Sequence, residues 1–418
     1  MIGTMRIAIL GLGTAGAIAA RMLKSKFKRS AITVFHTSTI PTTGVGEGGG
    51  PWLKQWLDEE GISRELMQRD VKATTKQGIL FVDWGQQPKQ ILHAFTPKGQ
   101  AHSYHFDAKR LSKILLDGLE LDIRNQVVEI VESEKKNKEL IHTKESGIEA
   151  FDYIIDCRGI PSAHHSDQEE NCSPLIASGA LLQTCEPLQS VHEDLNNFQT
   201  TNAIARPHGW IFLIPLQSRT SIGYIHDSHI TNTEAVKQDL KMYLAASNLT
   251  PISPTRNIQF KTHISTQFLK NRIYKLGNRA AFIEPLEATA IESTILHCKL
   301  ITAHIAKRKR NQPTTKEEVE MENNFNRVIL NNMERIALFV SWHYSQGSIY
   351  DTPYWCKAKA NHEILKENRV HPIIARDFDK WIEKGLQRQP RKVPSQGRDN
   401  MFFAWSEQSF AAIANILS

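Results

Sequence analysis

Two glutamates lie three residues apart in a segment whose other residues have a buried composition. The segment is FIEPLEATAIES, residues 282–293, and its carboxylates belong to Glu284 and Glu287. An unpaired ionised carboxylate is costly in a protein core, so such a group is paired or its pKa shifts. For Glu287 the structural alternative is the N-terminus of a helix, where the macrodipole favours a carboxylate by roughly 0.3–1 kcal/mol. Which interpretation holds depends on what the rest of the chain places around these side chains.

A glycine motif near the N-terminus predicts a dinucleotide site. Its sequence is GLGTAG, and it stands between the strand-like run RIAIL at 6–10 and a run with helical spacing. The first glycine allows a tight turn, the second lets the backbone approach a pyrophosphate, and the third packs helix on strand. The pyrophosphate is expected at the helix N-terminus. The residues expected at the cofactor are Gly11, Gly13, Thr14, Ala15 and Gly16. The alternative is a purely structural glycine turn.

The second strand of this unit lacks the acidic residue that usually contacts a ribose hydroxyl. The strand AITVF, 31–35, is followed by His36, which can donate or accept one hydrogen bond there. A glycine-rich segment, GVGEGGG at 44–50, offers unobstructed backbone amides beside a flat ring, which favours FAD over NAD. Its expected cofactor contacts are Gly44, Val45, Gly46 and Glu47. The alternative for this segment is a flexible surface loop.

The elements that would position these residues form a composite α/β arrangement. Their order is β-α-β at the start, antiparallel-looking strands later and helices at the end. Strand patterns occur at 78–84, 153–159, 209–216 and 220–226, and helical patterns at 107–121, 289–308 and 315–385. We predict a FAD-binding, Rossmann-like module of the flavin monooxygenase type, with an inserted substrate β-sheet and a helical C-terminal cap. The FAD-binding module is assigned to 1–50, 100–160 and 270–310, and the substrate module to 51–99, 161–269 and 311–418.

Composition and charge argue against several other classes of protein. The chain has 418 residues, a net charge of +7 and 40% hydrophobic residues, which suits a globular protein with a sizeable core. Its basic residues are not interleaved with stacking aromatics, so no nucleic-acid role is predicted. The five cysteines lack a CxxC spacing and the histidine pairs lack a ligand set, so no disulfide framework and no metal site are expected. No apolar run of about 18 residues and no signal peptide are found, so we expect a cytoplasmic protein without membrane contact.

Several segments together resemble the flavin-dependent halogenases of the tryptophan halogenase type. They lie in the family's order over about residues 5–360. They are GLGTAG, IPTTGVGEGGGPWL, ATTKQGILFVDW, SYHFDAKRLSKIL, IIDCRG, GWIFLIP, FIEPLEATAI and HYSQGSIYDTPYW. The chain differs from the family pattern at Phe212, which replaces the second tryptophan of the GWIFLIP block. It also differs at Ala288, where a serine is usual, and at Ala290, where glycine or serine is common.

The resemblance implies a reaction that combines reduced FAD (FADH2), oxygen and a halide, chloride or bromide. Enzymes of this type make hypohalous acid at the flavin, and a lysine delivers it to an aromatic ring. The position of that lysine is Lys76, and the position of the active-site glutamate is Glu287. A carboxylate near Lys76 would hold its ammonium in place or accept the proton that the ring loses. Thr289 and Ala290 would offer backbone amides to the halide at a helix start.

The resemblance also implies a barrier between the flavin and the organic substrate. Trp210, Phe212, Ile214 and Pro215 would form that barrier, and the alternative is a set of core side chains on a strand. Ile283 is expected at the cofactor. A separate flavin reductase would supply the reduced flavin, and a homodimer is one possible assembly state. The expected substrate is an electron-rich indole, namely tryptophan, a peptidyl tryptophan or a larger indole.

Two other functions are compatible with these residues. A flavin-dependent monooxygenase that hydroxylates or epoxidises an aromatic substrate would use the same fold, and Phe212 would then mark a more permissive barrier. A non-catalytic flavin-binding protein is the second, although a binding module needs neither Lys76 nor Glu287. Dependence of product formation on bromide or chloride separates the halogenase from the monooxygenase.

Overall fold

The computed structural model of the protein describes residues 4–38, 47–95, 103–134, 138–160, 171–172, 175–188, 200–387 and 401–417. Its strands are β1 Arg6–Leu10, β2 Ala31–His36, β3 Glu47–Gly48, β4 Thr74–Lys76, β5 Gly78–Val82, β6 Gln90–Ala94, β7 Ser103–Phe106, β8 Asp122–Asn125, β9 Val128–Glu134, β10 Lys138–Thr143, β11 Gly147–Phe151, β12 Tyr153–Asp156, β13 Asn171–Cys172, β14 Gly179–Cys185, β15 Thr200–Arg206, β16 Gly209–Leu216, β17 Arg219–His226, β18 Arg256–Gln259, β19 His263–Ser265, β20 Leu269–Lys270, β21 Ile273–Lys275 and β22 Ala281–Phe282.

The helices are α1 Thr14–Lys26, α2 Pro51–Glu59, α3 Arg64–Arg69, α4 Ala108–Leu116, α5 Thr233–Ala246, α6 Thr289–Asn311, α7 Thr315–Trp342, α8 Pro353–Asn368, α9 Pro372–Gln387 and α10 Glu407–Leu417. Short 3₁₀ turns occur at Gly277–Arg279 and Leu286–Ala288. None of the helices in the described part of the chain is both long and apolar enough to cross a membrane.

A six-stranded sheet carries the N-terminal glycine motif. Its strand order is β20-β21-β12-β1-β2-β8, and every pair except β20-β21 is parallel. The central strands are nearly continuous apolar runs, RIAIL in β1 and AITVFH in β2. Such runs are typical of a parallel sheet that is covered on both faces. The helix α1 packs against both α4 and α6 beside this sheet. The predicted βαβ start and the Rossmann-like character of the fold are confirmed.

A seven-stranded sheet of mostly antiparallel strands contains the aromatic block of β16. Its order is β18-β14-β17-β16-β15-β5-β6, and the β15-β5 pair is the parallel one. Successive side chains of a strand point to opposite faces of the sheet. Accordingly Trp210 and Phe212 lie in the main hydrophobic core, whereas Ile211 and Leu213 pack in a second core with α5. The face of the sheet that carries Trp210 therefore packs in the same hydrophobic core as side chains of β1 and β2.

Four helices, α7 to α10, follow the two sheets. The longest of them, α7, begins with a capping box in which Thr314 and Glu317 satisfy each other's backbone donors. Near its C-terminus α7 is buried continuously from Ile336 to Trp342, because α9 packs on it and Phe410 of α10 contacts the rings of Phe339 and Trp342. The predicted helical C-terminal cap is confirmed.

Two of the predicted helices can be compared with the bounds in the structure. The helix predicted over 107–121 is shorter, since α4 ends at Leu116, Asp117 is extended and Gly118 has a φ of +71°. The long helix expected over 289–308 is present as α6. The division into a FAD-binding and a substrate module stays a prediction.

Candidate active site

The GLGTAG motif has the backbone geometry that a pyrophosphate site requires. Gly11 has a φ of +96°, and a Cβ built on it would lie 2.7 Å from the carbonyl oxygen of Cys157. A Cβ on Gly16 would lie 2.0 Å from the carbonyl oxygen of Gly11, so the helix and the turn are in close contact. A Cβ on Gly13 would meet no atom within 4 Å. The space in front of the motif is therefore open where an anionic group would approach.

The N-terminus of α1 offers backbone donors toward this open space. Gly13 is the N-cap residue, and no side chain hydrogen-bonds there as a cap. Amides at such an end, together with the helix macrodipole, bind phosphate groups. Thr14 and Ala15 lie in the first turn, and a Cβ on Gly277 would come within 2.6 Å of the Ala15 methyl. The residues present therefore fit a dinucleotide such as FAD.

Glu47 extends this region toward the interior. The Thr14 hydroxyl donates to its carboxylate over 3.3 Å. Burial raises the pKa of Glu47 to about 7, against the opposing effect of that hydrogen bond. The other expected contacts of the glycine-rich segment, Gly44, Val45 and Gly46, lie outside the described residues.

Two further expected cofactor residues stay predictions. His36 ends β2, and its carbonyl oxygen accepts from the amide of Gln126. Ile283 is buried directly after β22. Neither placement tests a contact with FAD.

Lys76 lies at the end of β4 and is one of the largest fully buried side chains, with 1% of its surface exposed. Its strand is the edge of a three-stranded sheet in which Lys76 pairs with Ser103 of β7. Its Nζ lies 5.2 Å from the centroid of the Phe95 ring. Burial lowers the pKa of Lys76 to about 8, while the charges of Glu287 and Glu292 raise it. Both the ammonium and the amine form of Lys76 are therefore populated near neutral pH.

Glu287 is presented to the interior by an unusual backbone. It has a φ of 64°, and the next residue, Ala288, has a φ of 56°. Two consecutive non-glycine residues in the left-handed region are costly, and such residues cluster at functional sites. Both residues lie in the turn Leu286–Ala288, and their left-handed backbone interrupts the chain just before α6 begins at Thr289.

The carboxylate of Glu287 contacts three side chains from separate elements. His93 Nδ1 lies 2.9 Å and His343 Nε2 lies 3.1 Å from Oε1. The indole of Trp405 donates to Oε2 over 3.2 Å. Burial on its own would raise the pKa of Glu287, but the charges and hydrogen bonds of the two histidines outweigh it and hold that pKa well below its usual range. Glu287 is therefore a carboxylate at any physiological pH.

The relation between Lys76 and Glu287 is less direct than a simple ion pair. Both side chains are buried, and the charge of Glu287 acts on Lys76. The ion pairs of Glu287 within 4.0 Å are nevertheless those with His93 and His343.

Sequence reasoning missed both histidines and Trp405. A buried histidine in the β6 segment QILHA was the available signal, because alternation places it on the inward face of an edge strand.

The other glutamate of the opening segment, Glu284, has a separate partner. The hydroxyl of Tyr344 donates to its Oε1 over 2.5 Å, and both groups are buried. Burial raises the pKa of Glu284 to about 8, although the Tyr344 hydrogen bond opposes this. Glu284 is thus mostly protonated at neutral pH, which fits a structural position.

The two residues expected to bind halide lie at the start of α6. Thr289 is buried and Ala290 is exposed. The N-cap residue Ala288 has a left-handed backbone and makes no side-chain cap. The carbonyl of Ala290 accepts from the hydroxyl of Thr294 over 2.7 Å. The amides of this turn therefore have no competing side-chain acceptor from the N-cap residue.

Three of the four residues expected to form the barrier lie together in the main hydrophobic core. Trp210, Phe212 and Ile214 share one face of β16, and the Pro215 side chain lies on the opposite face. The backbone carbonyl of Pro215 accepts a hydrogen bond from the hydroxyl of Thr74. The ring of Phe212 fills the space above Gly223, since a Cβ there would come within 2.2 Å of it. Among the residues that the structure describes, no partner exists for the buried indole nitrogen of Trp210.

Within the described ranges, no group of three or more histidine, cysteine, aspartate or glutamate side chains is arranged to hold a metal ion. The buried carboxylates Glu284, Glu287 and Glu292 are instead hydrogen-bonded to side chains or to backbone amides.

Comparison with known proteins identifies the family. The sequence matches the model of the tryptophan halogenase family over residues 6–102 and 96–413. This match extends past residue 360, beyond the stretch over which the motifs alone indicated a resemblance.

Characterised relatives and a solved structure agree with this match. The chain is 24% identical to tryptophan 7-halogenase RebH of Lentzea aerocolonigenes over 432 residues, which cover 86% of this chain and 79% of RebH. It is 22% identical to tryptophan 6-halogenase SttH of Streptomyces toxytricini over 462 residues, covering 90% of this chain and 83% of SttH. The crystal structure of a tryptophan halogenase from Shewanella frigidimarina superposes with a TM-score of 0.79 at 21% identity, covering 100% of this chain and 89% of that one. The fold is therefore that of the flavin-dependent halogenases.

Proposed function

Because the chain belongs to the tryptophan halogenase family of flavin-dependent enzymes, we propose that it uses FADH2, oxygen and chloride or bromide to halogenate an electron-rich aromatic ring, most simply an indole. The observation that carries the proposal is a buried lysine whose pKa is lowered by burial and raised by the charge of a buried carboxylate, Glu287, while two histidines hydrogen-bond that carboxylate. A binding protein would have no use for two such costly groups.

The motif residues of α1 and the glycine-rich segment would hold the flavin. Gly11 and Gly13 supply the close backbone approach, Thr14 lies at the helix N-terminus, and Glu47 hydrogen-bonds to Thr14. When bound and reduced, the flavin supplies with oxygen the two-electron oxidation that turns halide into hypohalous acid. The amides of Thr289 and Ala290 would hold the halide at the start of α6. The wall of Trp210 and Phe212 would keep the aromatic substrate away from the flavin.

Lys76 would receive the hypohalous acid and present its halogen to the ring. With a pKa of about 8, its side chain donates hydrogen bonds as an ammonium in most molecules at neutral pH. A smaller fraction is the free amine, whose nitrogen can attack the halogen of hypohalous acid; the oxygen–halogen bond breaks, an N–halogen bond forms, and the hydroxide leaves as water with the proton from nitrogen. Both forms polarise or carry the halogen as an electrophile, and burial keeps water from competing for it.

Glu287 would stabilise positive charge and accept the final proton. The His93, His343 and Trp405 donors make it a weak base. The cationic ring produced by electrophilic attack is a strong acid, so a weak base in contact with it is sufficient. The negative charge of Glu287 also favours the ammonium form of Lys76. This role needs the carboxylate to stay ionised, which its hydrogen bonds ensure.

The substrate class is proposed from the charges around Glu287. Its hydrogen-bond partners are two histidines and an indole, and the other charges acting on Lys76 come from Glu292 and Glu287. No anchor for the carboxylate of a free amino acid stands out among these described groups. We therefore propose a larger indole, such as a peptidyl tryptophan or a fused alkaloid, in preference to free tryptophan.

The decisive experiment is a substrate screen with the halide varied. Free tryptophan, indole and tryptophan-containing peptides are incubated with the enzyme, FAD, a flavin reductase and NADH, and products are identified by mass spectrometry. Products that carry bromine or chlorine, and that disappear when halide is omitted, support the halogenase. Oxygenated products without halogen would establish the monooxygenase instead. A clear preference for free tryptophan would refute the larger-indole proposal while leaving halogenation intact.

A further inference from the structure

A buried glutamate outside the expected catalytic pair links the glycine-rich segment to Lys76. Glu292 lies in the first turn of α6 and is 3% exposed. Its Oε1 accepts from the amides of Gly50 and Leu53 over 2.9 and 3.1 Å. Its Oε2 accepts from the amide of Trp52 over 2.9 Å. Proline at position 51 has no amide hydrogen, so the carboxylate satisfies every backbone donor from 50 to 53.

These contacts make Glu292 the N-terminal cap of another helix. The helix α2 begins at Pro51, and its own N-cap residue, Gly50, has no side chain to serve as a cap. An anion at a helix N-terminus is stabilised by the exposed amides and the macrodipole. Gly50 is fixed closely against this cap, because a Cβ on it would lie 2.8 Å from the carboxylate carbon of Glu292. The hydroxyl of Ser103 holds the carbonyl of Gly50 over 2.7 Å.

The same short segment also covers the lysine. We call residues 48–50 the glycine strip. A Cβ built on Gly48 would lie 3.0 Å from Nζ of Lys76 and 3.1 Å from the ring of His105. Gly49 donates its amide to the carbonyl of Tyr104. One end of the strip therefore lies against Lys76, and the other end is held by Glu292.

Electrostatic interactions also connect Glu292 with Lys76. The charged groups that act on Lys76 are Glu287 from the turn before α6 and Glu292 from α6 itself. From β7, His105 faces the lysine and has its pKa lowered, first by burial and then by the charge of Lys76. Burial raises the pKa of Glu292 to about 7, while the three amides and the lysine oppose this. Glu292 and Lys76 thus influence each other without forming a direct ion pair.

We infer that Glu292 is a positioning residue for Lys76, because it anchors the glycine strip against the lysine side chain and supplies a second anion to its surroundings. This inference deepens the proposed function and rests on it only for the effect on turnover. Two carboxylates then act on one lysine with different tasks. Glu287 belongs to the reaction site, whereas Glu292 fixes the covering backbone and, above its own pKa of about 7, favours the ammonium form of Lys76.

The test uses two variants of Glu292 and one matched control. Glu292→Gln keeps the volume, removes the charge and leaves an NH2 group that faces backbone donors. Glu292→Asp keeps the charge and withdraws it from the three amides. Glu139→Gln is the control, because Glu139 is also buried in β10 with its pKa raised by burial, and it is not among the charges that act on Lys76.

Two measurements do not depend on turnover. The pKa of Lys76 is followed by NMR of ¹³Cε-labelled lysine in the full chain, and its resonance is assigned by its absence in Lys76→Met. Removal of an opposite charge disfavours the ammonium, so Glu292→Gln is expected to lower that pKa by on the order of one unit. Amide exchange of the peptide that spans residues 48–55, measured by mass spectrometry, is expected to accelerate in both Glu292 variants. Glu139→Gln should change neither quantity.

The pH dependence of kcat then connects positioning to catalysis. Its alkaline limb is expected to move to lower pH in Glu292→Gln in step with the pKa of Lys76. If the pKa and the amide exchange change but the limb stays in place, the inference about Glu292 stands and delivery of the halogen by the ammonium form of Lys76 fails. If neither the pKa of Lys76 nor the exchange at 48–55 differs from wild type, the inference is overturned. Should Glu292→Gln fail to fold, exchange in the charge-conserving Glu292→Asp decides the anchoring role.

Discussion

The substitution Gly48→Ala tests whether the position of the Lys76 ammonium limits the reaction. Gly48 lies in β3 and is not among the residues with a positive φ, so an alanine there meets no backbone strain. Its new methyl would instead lie 3.0 Å from Nζ of Lys76 and 3.1 Å from Cδ2 of His105. The perturbation is therefore confined to the two side chains that the glycine strip covers.

The expected magnitude follows from these distances. Non-bonded heavy atoms prefer separations of about 3.5–4.0 Å, so the ammonium must move by roughly 0.5–1 Å. The end of a lysine side chain is flexible, and we expect a stability loss below about 1.5 kcal/mol, toward the lower part of the range for overpacking. A misplacement of about 1 Å at a reacting group can reduce the rate about 100-fold. We therefore expect kcat to fall between about tenfold and 100-fold, which corresponds to roughly 1.4–2.7 kcal/mol in the barrier.

The assay measures initial rates of halogenated product at saturating bromide and aromatic substrate, together with urea unfolding. Gly118→Ala is the matched control. Gly118 has a φ of +71° and no atom within 4 Å of a Cβ, so alanine there costs about 1–2 kcal/mol of strain without touching Lys76 or His105. We expect that control to lose stability and keep its kcat. Equal loss of kcat in both variants, or wild-type turnover in Gly48→Ala, would refute the reasoning.

Three further predictions address the remaining parts of the site. Lys76→Met should reduce halogenation by about 100-fold to 10,000-fold, measured by product mass spectrometry. Its melting temperature should be maintained or raised, because an apolar side chain of similar volume replaces a buried cation; thermal unfolding checks this. Gly16→Ala should abolish FAD binding, measured by flavin fluorescence, because the new methyl would lie 2.0 Å from the carbonyl of Gly11; near-normal affinity would contradict the close helix–turn contact. The pKa of Glu284 is raised to about 8 in the folded chain, so its contribution to stability is present below pH about 4.5 and is lost as the pH rises toward 8. The side chain in Glu284→Gln cannot ionise, so the unfolding free energy of this variant, measured in urea, should fall less between pH 5.5 and pH 8 than that of wild type. Each unit of pKa shift corresponds to about 1.4 kcal/mol. An unchanged pH slope would show that the Glu284 carboxylate is already ionised in this range.

Regular elements could be predicted from the sequence because their signals are local. The apolar run of β1, the glycine spacing of the motif and the helical spacing of α6 are each contained within a short window. The strand pattern at 209–216 likewise predicted β16, and the structure places Trp210 and Phe212 in one hydrophobic core. Glu287 stood out as a carboxylate in a segment of buried composition, whereas only the family resemblance singled out Lys76 and linked the two residues.

The partners of those two residues could not be predicted, because each comes from a distant part of the chain. Glu287 contacts His93, His343 and Trp405, which are separated from it by 194, 56 and 118 positions. Glu292 reaches Gly50 across 242 positions. A carboxylate in sequence looks the same whether it will cap a helix or accept from a histidine. Its partner is decided by how the two sheets and the helical cap pack, which no short pattern encodes.

The backbone at Glu287 explains why the site needs so many distant donors. Two consecutive left-handed residues, Glu287 and Ala288, cost of order 1–3 kcal/mol each and persist only when surrounding structure enforces them. Three donors to one carboxylate supply that enforcement, since hydrogen bonds to a charged group contribute about 1.5–3 kcal/mol each. One of these donors, Trp405, lies in the stretch between α9 and α10, where its ring stacks on Phe339 of α7 at 3.8 Å. The strained turn is therefore stable only once β6, α7 and the C-terminal region have packed together. A fully formed carboxylate site is in this sense a product of the complete tertiary structure, although the residue that bears it stands in a recognisable motif.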